Sequence, residues 1–242
     1  MARPILVGYD PRTGDRAPVR FGAALARRIG APLIVGSVNA TDSAEAVDHL
    51  RRELLAAGVA ADFRALPGAS TPAALHQAAE SSGAGLLVTG STTRGPVTRE
   101  SGGSTAERLL RGTPCPVAVV PFGWEEGAGL KTIGVAFDDT AEEQTALPDA
   151  GALAARTGAQ LRVLHVGADA SIEDAAGALI DGSRSLDLLV CGSRSRELRR
   201  AVILGGVARR VIAAAHCPVI VLARGAEPGL QALLGRRKDA TA

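Results

Sequence analysis

The chain has 242 residues, of which 46% are hydrophobic and only 2% aromatic, and its formal net charge is +2 at pH 7. This length fits one large or two modest domains with cores of Ala, Val, Leu and Ile. The balanced charge and the scarcity of aromatic rings exclude a dedicated nucleic-acid binder, which needs a basic stripe or stacking platforms. Because no apolar stretch approaches the roughly 18 residues of a membrane span, we expect no membrane partner either.

The three cysteines, Cys115, Cys191 and Cys217, form no Cys-x-x-Cys pair. We interpret them as small buried apolar residues in a reducing compartment. The apolar run after residues 1–4 is too short for a signal peptide, and the four histidines lack metal-ligand spacing. The sequence therefore predicts a cytoplasmic protein without a metal site of its own.

Short apolar runs alternate with helical patterns over the first 121 residues. The apolar runs predict buried strands, and the 3.6-residue periodicity between them predicts helices. The predicted strands are residues 5–10, 33–38, 59–66, 86–89 and 116–120, and the predicted helices are 19–29, 43–57, 71–82 and 104–111. This alternation is typical of a parallel sheet with right-handed crossovers.

The pattern then repeats. Residues 132–138 mirror residues 5–10, and Gly192-Ser193 mirrors Gly90-Ser91. The distance in sequence between matching residues of the two halves is 128 at the start of the repeat and 102 at Gly192-Ser193. The difference of 26 residues predicts that the second half lacks the second helix and the third strand. We expect one domain over residues 1–121, a Gly-rich linker at 122–130, a shortened second domain at 131–223, and a solvated tail at 224–242.

Several motifs occur in the same order in both halves. They are Val7-Gly8-Tyr9-Asp10, Leu86-Leu87-Val88-Thr89-Gly90-Ser91 and Cys115-Pro116-Val117, with their second copies. Together they make the chain resemble a tandem universal stress protein with two UspA-like domains, over about residues 3–121 and 131–223. The resemblance implies an α/β fold with two doubly wound parallel-sheet domains of strand order 3-2-1-4-5, the second truncated and lacking strand three.

The resemblance also implies how such domains associate. The two domains are expected to pair inside the chain through their fifth strands, residues 117–120 and 219–222, as family dimers do. Whether two tandem chains form a homodimer is left open by the sequence.

Nucleotide-binding members of the family carry the motif Gly-x2-Gly-x9-Gly-(Ser/Thr). In the first half its positions hold Gly90, Thr93, Gly103 and Ser104, with Ser91 and Thr105 beside them, and in the second half Gly192, Ser195, Gly205 and Gly206. If the second Gly position needs a positive φ, Thr costs about 1–2 kcal/mol there. Because Gly206 offers no hydroxyl to a phosphate, the first half is the stronger candidate.

By similarity, Asp10 would meet ribose or a phosphate-bound metal ion, and the backbone of Val38 would meet adenine. Asp138 and Val166 are their counterparts in the second half. The implied cofactor is ATP, accompanied by Mg²⁺. Two structural alternatives stay open: Asp10 as a turn-forming residue before a proline, and Gly103-Ser104 as an ordinary helix cap.

No general base for hydrolysis is evident in the sequence. The leading hypothesis is therefore an ATP-binding stress-response protein that is not an enzyme. The alternative is a UspA-like interaction module that has lost nucleotide binding, which Thr93, Ser195 and Gly206 favour. Slow ATP hydrolysis is a third hypothesis, ranked below both.

Overall fold

The computed structural model describes residues 1–38, 44–91, 105–127, 129–137, 141–167, 170–192, 205–222 and 229–235. Its strands are β1 (Ile5–Gly8), β2 (Leu33–Val38), β3 (Ala61–Leu66), β4 (Leu86–Gly90), β5 (Val117–Val120), β6 (Thr132–Phe137), β7 (Gln160–His165), β8 (Leu188–Gly192) and β9 (Val219–Leu222). Its helices are α1 (Ala17–Ile29), α2 (Ala44–Ala56), α3 (Thr71–Ser82), α4 (Thr105–Leu110), α5 (Ala141–Thr157), α6 (Ile172–Gly182), α7 (Gly206–Ala214) and α8 (Leu230–Leu234).

These strands form one continuous sheet in the order β3-β2-β1-β4-β5-β9-β8-β6-β7. All neighbours within each half are parallel. The first half has the predicted order 3-2-1-4-5. In the second half, β7, β6, β8 and β9 give the order 2-1-4-5, and its described residues contain no third strand. The predicted α/β fold class and the truncation are confirmed.

Helices cover both faces of the sheet, as expected for parallel strands that are apolar on both sides. α1, α2, α5 and α8 contribute to the core on one face, and α3, α4, α6 and α7 contribute to the core on the other. Leu6 and Val7 are successive residues of β1, belong to opposite cores and are both fully buried. Ligands and partners can therefore reach the strands only at their ends and at the two outer edges.

The two halves meet at β5 and β9, which pair antiparallel with Ala118 opposite Ile220. All four residues of each strand are buried. The segment that follows β5 packs along α1, where the Trp124 ring lies edge-on against Phe21 with 5.7 Å between ring centroids. The Gly-rich stretch at 122–130 thus packs against the first half, in part through the tryptophan of the chain.

The interpretation of the C-terminal segment as a solvated tail is wrong for residues 229–235. This stretch contains α8, whose Leu230 and Leu233 side chains are fully buried. The Asp149 carboxylate, in α5, accepts a hydrogen bond from the Leu230 backbone N at 2.9 Å. The Leu233 carbonyl accepts one from the Arg3 backbone N at 3.1 Å. α8 therefore bridges a helix of the second half and the start of the first half.

The start of α1 differs from the sequence prediction, because it begins at Ala17 rather than at residue 19. Its N-cap is Arg16, which makes no side-chain capping hydrogen bond, and the Asp15 carboxylate instead accepts a hydrogen bond from the Ala17 backbone N at 3.0 Å. α3 begins at Thr71, as predicted, and its N-cap is Ser70, whose side chain accepts a hydrogen bond from the backbone N of residue 73. Both helix starts project side chains toward the carboxyl ends of the strands.

Candidate functional site

A cleft of about 370 Å³ opens at the carboxyl ends of β1 and β4, which are adjacent parallel strands. From these strands the chain continues to α1 on one face of the sheet and to α4 on the other. Open α/β sheets bind ligands at such a switch point, and the volume lies within the range of small-molecule pockets. The lining residues are Gly8, Tyr9, Asp10, Arg12, Thr13, Asp15, Pro18, Gly36, Thr71, Leu75, Thr89, Gly90, Ser91, Thr105 and Phe122.

Two glycines at the strand ends keep the floor of the cleft open. A Cβ atom built on Gly90 would lie 3.1 Å from Pro18 Cγ and 3.3 Å from Asp15 Oδ2. A Cβ atom built on Gly8 would lie 2.8 Å from Leu75 Cδ1. A side chain at either position would push its neighbours or fill the cleft, so the space depends on residues without a side chain.

Asp10 lies two residues after β1, is the N-cap of the single helical turn Pro11–Thr13, and carries an ionised carboxylate. This carboxylate accepts hydrogen bonds from the Arg12 backbone N at 3.0 Å and from the Arg12 Nε and Nη2 at 3.0 and 2.9 Å. The side-chain hydrogen bond from Arg12 is the largest cause of the lowered pKa of Asp10, and burial opposes it. The Asp10 side chain remains 41% exposed. The cleft wall thus presents an anion and a cation side by side.

Asp15 and Ser91 attach the segment after β5 to the cleft. Asp15 Oδ1 accepts a hydrogen bond from the Gly123 backbone N at 3.3 Å, and Ser91 Oγ accepts one from the Phe122 backbone N at 3.1 Å. Phe122 thereby becomes part of the cleft wall. Sequence reasoning did not identify Asp15 or Phe122 as site residues, because their contacts join segments far apart in the chain. The only local signal was an acidic residue just before the first turn of α1, where a negative charge is favourable.

The first-half site residues predicted from the sequence fall into three groups. The structure brings four of them together in the cleft: Asp10, Gly90, Ser91 and Thr105. Val38 ends β2, two residues past Gly36, which lines the cleft. The others lie outside the described residues: Thr93, Gly103 and Ser104.

The corresponding place in the second half, at the carboxyl ends of β6 and β8, holds a smaller cavity of about 150 Å³. Four predicted residues line it: Val166, Gly192, Gly205 and Gly206. Asp138 and Ser195 lie outside the described residues. The other lining residues are Ala136, Ile172, Ala175, Leu179, Cys191, Val207 and Ala208. The described lining of this cavity therefore contains no charged side chain.

Ile172 narrows the approach to α7 in this second cavity. It is the first residue of α6, after the N-cap Ser171. A Cβ atom built on Gly206 would lie 3.0 Å from Ile172 Cγ2 and 3.1 Å from Ile172 Cδ1. In the first half, the residue that follows the N-cap of α3 is Thr71, which lines the open cleft. A branched apolar side chain thus stands where the first half has a hydroxyl.

Residues 51–121 and 173–223, together half of the chain, match the sequence model of the universal stress protein family. The chain belongs to this family. A universal stress protein of Mycolicibacterium smegmatis (strain ATCC 700084 / mc(2)155) is 34% identical over 129 residues, which cover 50% of this chain and 99% of that protein. The whole M. smegmatis protein thus corresponds to about half of this chain. The predicted resemblance to a tandem universal stress protein is confirmed.

Two solved structures share the fold of this universal stress protein over nearly its whole length. A functionally unknown protein from Pseudomonas aeruginosa PAO1 has a TM-score of 0.68 at 18% identity, covering 91% of this chain and 92% of that chain. A universal stress protein from Archaeoglobus fulgidus DSM 4304 has a TM-score of 0.66 at 19% identity, covering 93% and 100%. At these identities the similarity shows the fold alone.

No group of three or more His, Cys, Asp or Glu in the described ranges could hold a metal ion. None of the helices in those ranges has both the length and the apolar character needed to cross a bilayer.

Proposed function

We propose that this universal stress protein binds an adenine nucleotide, ATP in the first instance, in the first-half cleft, and acts in the stress response without dedicated catalysis. The observation that supports this most is the asymmetry between the two halves. The first-half cleft measures about 370 Å³ and is lined by Asp10, Arg12 and Asp15, whereas the second cavity measures about 150 Å³ and is apolar. A nucleotide needs room together with a few convergent polar groups, and the first cleft supplies both.

The polar groups of the cleft suit different parts of a nucleotide. The ionised Asp10 carboxylate can accept hydrogen bonds from ribose hydroxyls, as an acidic residue does in dinucleotide-binding folds. The Arg12 guanidinium offers planar donors to phosphate oxygens. Thr105, at the start of α4, adds a hydroxyl. Mg²⁺ usually keeps several waters and binds through substrate phosphates plus one or two carboxylates, so Mg²⁺ would arrive with ATP and not require a protein cage.

The same groups are poorly suited to hydrolysis. A general base works best with a pKa near the working pH, and the pKa of Asp10 is shifted in the opposite direction. Asp15 is already engaged with two backbone N–H groups, at 3.0 and 3.3 Å. The described lining of the cleft contains no His, Cys or Lys. These features support binding over turnover, and any ATP hydrolysis is expected to be slow.

A cytoplasmic location belongs to the same proposal. The three cysteines form no disulfide and are all buried, which is typical of proteins from a reducing compartment.

The first test is to denature freshly purified native protein and identify any released nucleotide by chromatography. About one adenine nucleotide per chain is the expected result. The second test compares Asp10→Asn with Asp138→Asn, the matched substitution in the second half. Loss of a hydrogen bond to a charged group costs about 1.5–3 kcal/mol, so calorimetry should show about 10- to 100-fold weaker binding for Asp10→Asn and no change for Asp138→Asn.

Adenosine is the better titrant for this comparison. Asp10→Asn also frees Arg12, and the freed guanidinium could compensate through the phosphates of ATP but has no phosphate to bind in adenosine. Equal weakening by both variants would contradict the assignment to the first half.

One observation favours the alternative, an interaction module that has lost nucleotide binding. Both oxygens of the Asp10 carboxylate are already engaged by Arg12, so a ribose must compete with an ion pair. Native protein that carries no nucleotide, and that also fails to bind added ATP with Mg²⁺, would contradict the nucleotide proposal and favour this alternative.

A further inference from the structure

β7 forms an exposed outer edge of the sheet and carries apolar side chains. It is the last strand in the sheet order. Leu161 and Val163, on the face of β7 that packs toward α5, are 36% and 50% exposed. The strand is otherwise half-buried or exposed along its whole length. An unpaired strand edge with apolar side chains is a template for pairing with another chain.

The first half shows what normally covers this face. At the repeat offset of 128, Leu33 and Val35 of β2 correspond to Leu161 and Val163, and they are only 3% and 2% exposed. They belong to one core with residues of α2, and β3 pairs with the outer side of β2. The described residues of the second half contain no counterpart of α2 or β3, so the same residue types are left uncovered.

The other outer edge of the sheet is protected in a way that β7 is not. β3 carries Asp62 and Arg64, whose carboxylate oxygen and guanidinium Nη2 lie 2.7 Å apart. Charged side chains on an edge strand discourage edge-to-edge pairing. On β7, the guanidinium of Arg162 donates a hydrogen bond to Ser185 Oγ at 3.0 Å, within the same chain. Asp62 and Arg64 thus place two charges on the β3 edge, whereas β7 carries one arginine between its apolar residues Leu161 and Val163.

We propose that β7 is an interface through which two copies of this chain pair antiparallel about a twofold axis and extend the sheet. The backbone directions set the register. Gln160 N donates to the Lys131 carbonyl at 2.7 Å, and Val166 N donates to the Phe137 carbonyl at 2.8 Å. Because backbone groups alternate in direction along a strand, the N–H and C=O of Val163 point away from β6, toward the open edge.

A twofold axis at Val163 uses these outward groups. It places Val163 opposite Val163 of the second copy, where the two residues exchange both N–H···O bonds, and it places Leu161 opposite His165. Cross-strand pairs of β-branched residues stabilise a sheet, whereas like charges directly opposite each other destabilise it. An axis at Arg162 would oppose two guanidinium groups, so the Val163 register is favoured.

Antiparallel pairing of two edge strands already occurs once within this chain. It joins β5 of the first half to β9 of the second half. The β7 pair is smaller, because a six-residue strand contributes less than the roughly 1,200 Å² of a stable interface. We therefore expect a weak dimer whose population rises with protein concentration.

Sedimentation velocity on the full chain, from low micromolar to several hundred micromolar, tests the interface. The wild type is expected to shift from monomer to dimer. Val163→Lys should abolish the shift, because two ammonium groups would face each other at the axis. Ala65→Lys, on the opposite sheet edge, is the matched control and should leave the shift unchanged. A wild type that stays monomeric throughout, or a dimer that survives Val163→Lys, overturns the proposal.

Disulfide trapping tests the register without depending on a charged variant. Hydrogen-bonded antiparallel pairs have Cα atoms about 5.5 Å apart, which a disulfide can span, so Val163→Cys should form a linked dimer under mild oxidation. In the same register, the two Leu161 positions are four residues apart along the strands, about 14 Å, and Leu161→Cys should not link. The native cysteines are buried and do not interfere. Equal linking by both variants, or by neither, overturns the register.

Discussion

Leu233→Ala is expected to destabilise the protein by about 3–5 kcal/mol, because Leu233 is fully buried although it lies only nine residues from the end of the chain. Leu-to-Ala substitutions at fully buried sites lose transfer free energy and leave a cavity, with a typical total in this range. The site cannot collapse easily: a Cβ atom built on Gly85 would lie 2.8 Å from Leu233 Cα. The backbone of α8 is therefore held directly against the turn before β4.

Chemical denaturation followed by circular dichroism measures this loss of unfolding free energy. Gln231→Ala is the matched control, because residue 231 lies on the exposed side of the same short helix and should change stability by less than about 0.5 kcal/mol. Asp149→Ala, which removes the acceptor for the Leu230 backbone N, should weaken the same contact. If Leu233→Ala and Gln231→Ala have equal effects, α8 does not stabilise the fold and the reasoning is wrong.

Three further predictions concern other parts of the molecule. Burial raises the pKa of the Cys115 thiol to about 11 and of the Cys217 thiol to about 12. The stabilisation that comes from burying these neutral thiols is complete below the unfolded-state pKa and is lost as pH rises through these values. Iodoacetamide at pH 8 should therefore label both cysteines only after unfolding. Thr71→Ile should weaken ATP binding by narrowing the first cleft, measured by calorimetry, whereas Ile172→Thr should have no effect on it. The Asp187 carboxylate accepts hydrogen bonds from two backbone N–H groups at the start of β6, both at 2.8 Å. Asp187→Ala should therefore lower the free energy of unfolding by about 1–3 kcal/mol. A loss of stability no larger than that of a substitution at an exposed residue would contradict this prediction.

The strands were the most predictable part of this fold. A buried parallel strand is a short run of Val, Ile and Leu, and in β1 and β4 that run ends at a glycine. Repeated motifs at two offsets were enough to locate the missing strand of the second half, because a deletion changes the spacing between motifs without changing the motifs themselves. Helix starts were less predictable: at the start of α1 the Ala17 backbone N donates a hydrogen bond to the Asp15 carboxylate, a contact that apolar periodicity does not reveal.

Contacts between distant segments explain the remaining differences. α8 has only five residues, too few for helical periodicity to distinguish a docked helix from a frayed end. Its position depends on Asp149, 81 residues earlier in the chain. The contact between Ile172 and Gly206 likewise arises only when α6 and α7 pack together. The motif predicted that Gly206 would bind phosphate poorly, because it offers no hydroxyl. The side chain that narrows the second cavity belongs to Ile172, which lies outside the motif.

The second half differs from the first at its outer strand and at its smaller cavity. Without counterparts of α2 and β3 in its described residues, Leu161 and Val163 of β7 are exposed, and α6 follows β7 with Ile172 against Gly206. The proposed nucleotide cleft and the proposed β7 interface therefore lie in different halves, at opposite parts of the sheet order. The two activities should be separable: Val163→Lys should leave adenosine affinity unchanged, and Asp10→Asn should leave the sedimentation shift unchanged. Coupled loss of both in either variant would show that the halves do not act independently.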